Sequence, residues 1–136
     1  MKSFDAHIRV EYHHTDQMGI VHHSNYVKFF EVARTEWLRS AGLTYAEMER
    51  RGVMMPIVEV QVKYRTPAYY DELIRVRATV EEMPMARMTF RYEVFGEDDR
   101  EIASGLTVLG FIDKETRRPQ RVPAWLVEVL EREFME

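Results

Sequence analysis

Apolar and polar residues alternate from Phe4 to Tyr12. Phe4, Ala6, Ile8, Val10 and Tyr12 share one face, and Asp5, His7, Arg9 and Glu11 share the other. A period of two predicts a half-buried strand. After the polar stretch HHTDQMGIVHHSNY, residues 13–26, the period changes. Val27, Phe30, Ala33, Trp37, Leu38 and Ala41 recur every three or four residues, the stripe of an amphipathic helix. Ser24 stands where an N-cap is expected and Gly42 where a C′ glycine ends a helix. Such a helix is roughly 27 Å long at about 1.5 Å per residue. Thr44 and Glu47 have capping-box spacing and open a short second helix that Gly52 ends.

Period two then returns. Val58, Val60, Val62 and Tyr64 alternate with their neighbours, as do Ile74, Val76, Ala78 and Val80, and then Met88, Phe90, Tyr92 and Val94. GEDD at 96–99 is a polar turn, IASGLTVLGFI at 102–112 is a last long strand, and DKETRRP closes it as a loop. Pro123 suits the first turn of a C-terminal helix whose apolar face is Trp125, Leu126, Val129 and Leu130. No repeat, low-complexity segment or linker interrupts the chain, so residues 1–136 are expected to form one domain. Strand, long helix, short helix and four strands mostly joined by short turns predict an α+β architecture. One antiparallel sheet of about five strands then packs its concave face on the long helix.

Composition narrows the functional classes. At 136 residues the chain can bury roughly 68% of its unfolded surface, enough for one core without staples. Hydrophobic residues at 46% and charged residues at 31% fit a soluble globular domain. The absence of cysteine removes disulfides, thiolate metal sites and a cysteine nucleophile, and it fits a reducing cytoplasm. A net charge of −4 argues against duplex nucleic acid as a partner. No run approaches the ~20 apolar residues of a bilayer span. The start MKSFDAHIRV carries charges where a signal peptide needs its apolar stretch. The expectation is a cytoplasmic protein with no nucleic-acid partner and no membrane span.

Four of the five histidines, His13, His14, His22 and His23, flank Asp16 and Gly19 between the first strand and the long helix. Two imidazoles and a carboxylate are enough, in principle, for zinc or iron. Adjacent residues of an extended chain point to opposite sides, however, and no helical ligand pair such as H-E-x-x-H occurs. The simpler reading leaves His13, His14 and His22 as solvated loop residues and expects no metal. Asp16 fits an acid-base or nucleophilic role and equally an Asx turn, because Asp before x-x-Gly is common in turns. The helix that starts about eight residues later tips the balance. Its first turn offers unpaired N–H groups and the positive end of the helix dipole, suited to an oxygen gaining charge in acyl transfer. No G-x-S-x-G elbow occurs, Ser24, Ser40 and Ser104 lack a triad context, and no phosphate-binding glycine pattern is present.

The segment RVEYHHTDQMGIVHHSNY, Arg9 to Tyr26, resembles the active-site signature of the 4-hydroxybenzoyl-CoA thioesterase family of hotdog-fold proteins. The likeness runs through Arg9, Val10, Thr15, Asp16, Gly19, Ile20, Val21, Ser24 and Tyr26. FFEVARTEWL resembles that family's central helix, and VKYRTPAYYDELIRV its next strand pair, so nearly the whole chain is covered. The resemblance implies one sheet wrapped around a long helix, dimers joined at their sheet edges and often paired into tetramers, and pockets at the dimer interface. It implies hydrolysis of acyl-CoA thioesters with no cofactor, coenzyme A being part of the substrate. Asp16 takes the position of the catalytic carboxylate, as nucleophile or as base for water. The backbone N–H of Tyr26 takes that of the group polarising the thioester carbonyl, and His23 that of a histidine lining the site. A second hotdog branch uses a glutamate on the helix, where Glu31 stands. Lys28 and Arg34 lie three residues either side of it, which favours an ion pair there.

Substrate contacts are read from residue type. Nine methionines can fill a core or soften an acyl pocket, and Met18, two residues beyond Asp16, is the one expected in the site beside Gly19. Arg65, Arg87 and Arg91 are candidates for the phosphates of coenzyme A, although each alone also fits a solvated strand face. A non-catalytic acyl-binding or scaffold module is the rival function, and acyl carrier protein the rival carrier.

Overall fold

The long helix, α1, runs from Asn25 to Ser40 and stops in a Schellman turn. Gly42 adopts φ 90°, its N–H reaches the Arg39 carbonyl at 3.0 Å, and the Leu43 N–H reaches Leu38 at 2.9 Å. Both leucines are buried, which is the apolar contact that accompanies this motif. The next helix, α2 (Tyr45–Arg50), starts as its spacing predicts, with Thr44 Oγ1 accepting the Glu47 N–H at 3.1 Å. Ser24 occupies the N-cap position of α1 but caps nothing. Its hydroxyl pairs instead with His22 Nδ1 at 2.9 Å, so the first N–H groups of α1 have no side-chain cap.

The computed structural model describes residues 2–134. Five strands form one antiparallel sheet: β1 (Lys2–Arg9), β3 (Ile57–Tyr64), β4 (Leu73–Val80), β5 (Arg87–Phe95) and β6 (Glu101–Gly110). Their order is β1-β4-β5-β6-β3, with β1 and β3 as the edges. A two-residue pair, β2 (Val53–Met54) with β7 (Ile112–Asp113), and a C-terminal helix, α3 (Ala124–Phe134), complete the fold. The strand expected over 102–112 therefore breaks at Phe111, and β2–β7 had no counterpart in the sequence pattern. Two residues are too few to show a period. No helix among the described residues is long and apolar enough to cross a membrane.

The helix buries Tyr26, Phe29, Phe30, Ala33, Trp37 and Leu38 on the concave face of the sheet. Val27, expected in that stripe, is 42% exposed because Tyr26 and Phe29 turn inward instead. Phe30 stacks on Tyr92 with centroids 4.2 Å apart, and Trp37 meets Phe90 edge-on at 5.6 Å. Gly105 permits this approach. A Cβ there would lie 2.7 Å from the Phe30 ring and 2.2 Å from the Gln61 carbonyl. Arg34, itself buried, donates from Nε to the Tyr45 hydroxyl at 3.2 Å.

One strand departs from expectation. The apolar positions of β3 predict a buried face, yet Val58 is 48% exposed, Val60 37% and Tyr64 54%. Helix α1 covers β1 and β4 more fully than β3. The edge strand thus presents both an unpaired ladder and bare apolar side chains.

Candidate active site

The chain between β1 and α1 is folded on its own hydrogen bonds. Thr15 bridges to Val21, the Asp16 N–H reaches the Ile20 carbonyl at 2.9 Å, and Gly19 closes the turn at φ 77°. Asp16 Oδ1 accepts the Met18 N–H at 2.7 Å. The Asx turn is therefore real, and it uses one carboxylate oxygen. The other, Oδ2, has no hydrogen-bond partner among the described residues and is free for chemistry.

Histidines brace this loop. The amide N–H groups of Glu11 and Ser24 donate to Nδ1 of His14 (2.9 Å) and of His22 (3.3 Å). An amide can only donate, so the His14 ring is neutral with its proton on Nε2. Burial holds the His14 pKa below its usual value, with the neighbouring His13 adding to the effect. The His14 carbonyl accepts from the His22 N–H and from Asn25 Nδ2, both at 2.8 Å, tying the loop to the first residue of α1. Ligand atoms of Glu11, His13 and His14 lie within 4.8 Å of one another. The His13 ring already meets the Glu11 carboxylate, and His14 Nδ1 is occupied.

A cleft of about 340 Å³ opens between the Asp16 turn, the first turn of α1 and the end of β3. Asp16, Met18, His23, Tyr26 and Arg65 line it, with Gly19 in the turn behind them. The Tyr26 N–H makes only a long bond, 3.4 Å, to the His23 carbonyl. The phenol of Tyr26 is pushed up to about 12 by burial and stays neutral. Tyr64, Thr66 and Pro67 form the opposite wall, which sequence reasoning missed because Tyr64 looked like part of a buried face. That wall is anchored by Arg100, whose guanidinium donates to the Pro67 carbonyl at 2.9 Å and holds both oxygens of Glu72 at 2.7 Å.

Of the three predicted arginines, only Arg65 reaches this cleft. Arg65 stands on the cleft rim, 3.7 Å from the Glu101 carboxylate. Arg91 points from the outer face of β5 and pairs with Glu81 at 2.7 Å. Arg87 pairs with Gly110 at the far end of the sheet, on a separate groove of about 560 Å³ with Val58, Phe111, Ile112 and Arg121. Glu31 is 70% exposed, 3.9 Å from Arg34, and does not line the cleft.

The family model described as the thioesterase-like superfamily matches residues 10–130. The chain belongs to this family. Within the thioesterase-like superfamily, it is 32% identical to YneP of Bacillus subtilis, named as a candidate acyl-CoA thioesterase, over 82% of this chain and 81% of that one. It is 25% identical to the acyl-CoA thioester hydrolase YbgC of Escherichia coli over 88% and 90%. Among solved structures, a DHNA-CoA thioesterase from Staphylococcus aureus superposes with a TM-score of 0.89 at 32% identity, covering 97% of this chain and 91% of that one. A hypothetical protein from Thermus thermophilus, TT1821, gives 0.88 at 36% identity, covering 96% and 97%. The fold is the hotdog fold, and this member of the thioesterase-like superfamily is a thioester hydrolase.

Proposed function

We propose that the chain hydrolyses acyl-CoA thioesters in the cleft beside Asp16. The supporting observation is the pairing of a free carboxylate oxygen, Asp16 Oδ2, with a weakly engaged N–H, that of Tyr26, on one cleft. Asp16 attacks the thioester carbon, giving an acyl–Asp16 anhydride that water then hydrolyses, or it takes a proton from the attacking water and passes it to the departing sulfur. The Tyr26 N–H and the uncapped start of α1 stabilise the oxygen that gains charge. The C–S bond breaks, coenzyme A leaves as its thiol and the acid is released. A thioester is already an activated acyl donor, so no cofactor enters. Met18 and His23 border the acyl group. Asp16→Asn keeps the fold and loses kcat by about 10²–10⁴-fold, the range of positioned proton transfer. Wild-type turnover of a short, long and aromatic acyl-CoA panel by that variant sinks the reading.

The bare β3 edge is the natural seam of a homodimer. Two β3 strands joined antiparallel place the Ile57 end of one beside the Tyr64 end of the other. The Arg87 groove of one protomer then approaches the Asp16 cleft of its partner. Arg87 and Arg121 enter no ion pair among the described residues, whereas Arg65 and Arg91 do. The apolar floor of Val58, Phe111 and Ile112 suits an adenine ring, and the two arginines suit its phosphates. Replacing Arg87 and Arg121 together by alanine raises KM for acyl-CoA and leaves acyl-pantetheine turnover unchanged. Equal effects on both substrates count against the groove.

A further inference from the structure

We infer that Tyr64 is a positioning residue for this reaction, acting through the His23 carbonyl. The inference rests on the proposed role of the Tyr26 N–H. Two donors converge on the His23 oxygen: the Tyr26 N–H at 3.4 Å and the Tyr64 hydroxyl at 3.3 Å. Both bonds exceed the ordinary range, so the carbonyl is shared between two weak donors. Tyr26 belongs to the first turn of α1 and Tyr64 is the last residue of β3, so they reach this oxygen from opposite sides of the cleft. Their rings meet edge-on with centroids 5.5 Å apart, and the Tyr64 ring also approaches His23 at 6.4 Å.

The consequence concerns what happens when a thioester carbonyl takes the Tyr26 N–H. That proton must leave the His23 oxygen. With substrate filling the cleft and water displaced, an abandoned carbonyl lacks an acceptor's partner, and the cost of leaving it unmet falls on the reaction. The Tyr64 hydroxyl stays on the oxygen and removes that cost. It also competes for the carbonyl beforehand, which keeps the Tyr26 bond long and the N–H ready to turn. Tyr64 touches no reacting atom in this account. Its contribution appears when the oxygen of the substrate gains charge and draws hardest on the N–H, so it acts on kcat and not on binding.

Tyr64→Phe keeps the ring and removes only the hydroxyl. The expected result is a fall in kcat of about 3- to 10-fold with KM within two-fold, smaller than the 10²–10³-fold typical of deleting a direct oxyanion donor. In the same variant the Tyr26 amide becomes the sole protein donor to His23. Its proton resonance, followed by selective ¹⁵N-tyrosine labelling of the substrate-free protein, moves downfield. An unchanged kcat overturns the inference. So does a joint change of kcat and KM with a lowered Tm, which marks a packing role. If Asp16→Asn retains full activity, the hydrolysis reading itself falls. A fully active Tyr64→Phe beside a dead Asp16→Asn removes Tyr64 alone.

Discussion

Individual side chains set the chemistry of the Asp16 loop, and the histidines show how. His14 holds the Glu11 N–H on Nδ1 and sits against Phe29, with ring centroids 5.0 Å apart. Protonating that nitrogen breaks the bond. Burial lowers the folded pKa below the ordinary value of 6.5, so the unfolded chain binds the proton first. The stabilisation is complete above about pH 6.5 and is lost as the pH falls from there through the folded pKa. Melting curves between pH 7.5 and 5 therefore show a falling Tm, and His14→Asn, whose Oδ1 accepts at all pH values, flattens that fall. An identical pH profile in the variant contradicts the assignment. The sequence showed four clustered histidines and a carboxylate, and it made the carboxylate prominent. It could not show that His14 and His22 accept backbone N–H groups, because those partners are brought close only by the turn.

Elements were legible where their signals are local. Gly42, Thr44 and Gly52 ended or began helices as written, because caps depend on residues three or four apart. Ser24 failed as a cap because His22, two residues earlier, took its hydroxyl. The break at Phe111 and the face that β3 presents depend on distant neighbours, so periodicity alone could not give them. Two contacts between elements can be tested. Gly105→Ala pushes β6 against Phe30 and against Gln61 of β3, at an expected cost of about 1–3 kcal/mol in denaturant unfolding. Glu72 is largely buried and Arg100 holds its carboxyl below the usual carboxylate range. Its contribution is full above the ordinary value of 4.5 and lost as pH falls through the folded pKa. Glu72→Gln lowers stability by about 1–3 kcal/mol at pH 7, measured the same way, and by less at pH 3.

At the scale of the whole molecule, strand order was the part sequence could not supply. Four alternating segments and one long apolar run predict an antiparallel sheet but not which two strands become its edges. The apolar residues of β3 lie bare on one of those edges, where the proposed seam would use them. A charge placed there is the direct test of the proposed pairing: Val60→Glu yields monomers by sedimentation and raises KM for acyl-CoA, the result expected if each cleft borrows the groove of its neighbour. A monomer with full activity contradicts the proposed seam. The bare edge has one more consequence. If two copies join at β3 as proposed, the pair obeys mass action, and its properties are not those of a single chain at any dilution. Melting temperature rises with protein concentration, and specific activity decays when a stock is diluted below the dissociation constant of the pair. Between synthesis and encounter, that same strand is also the segment most exposed to the wrong neighbour.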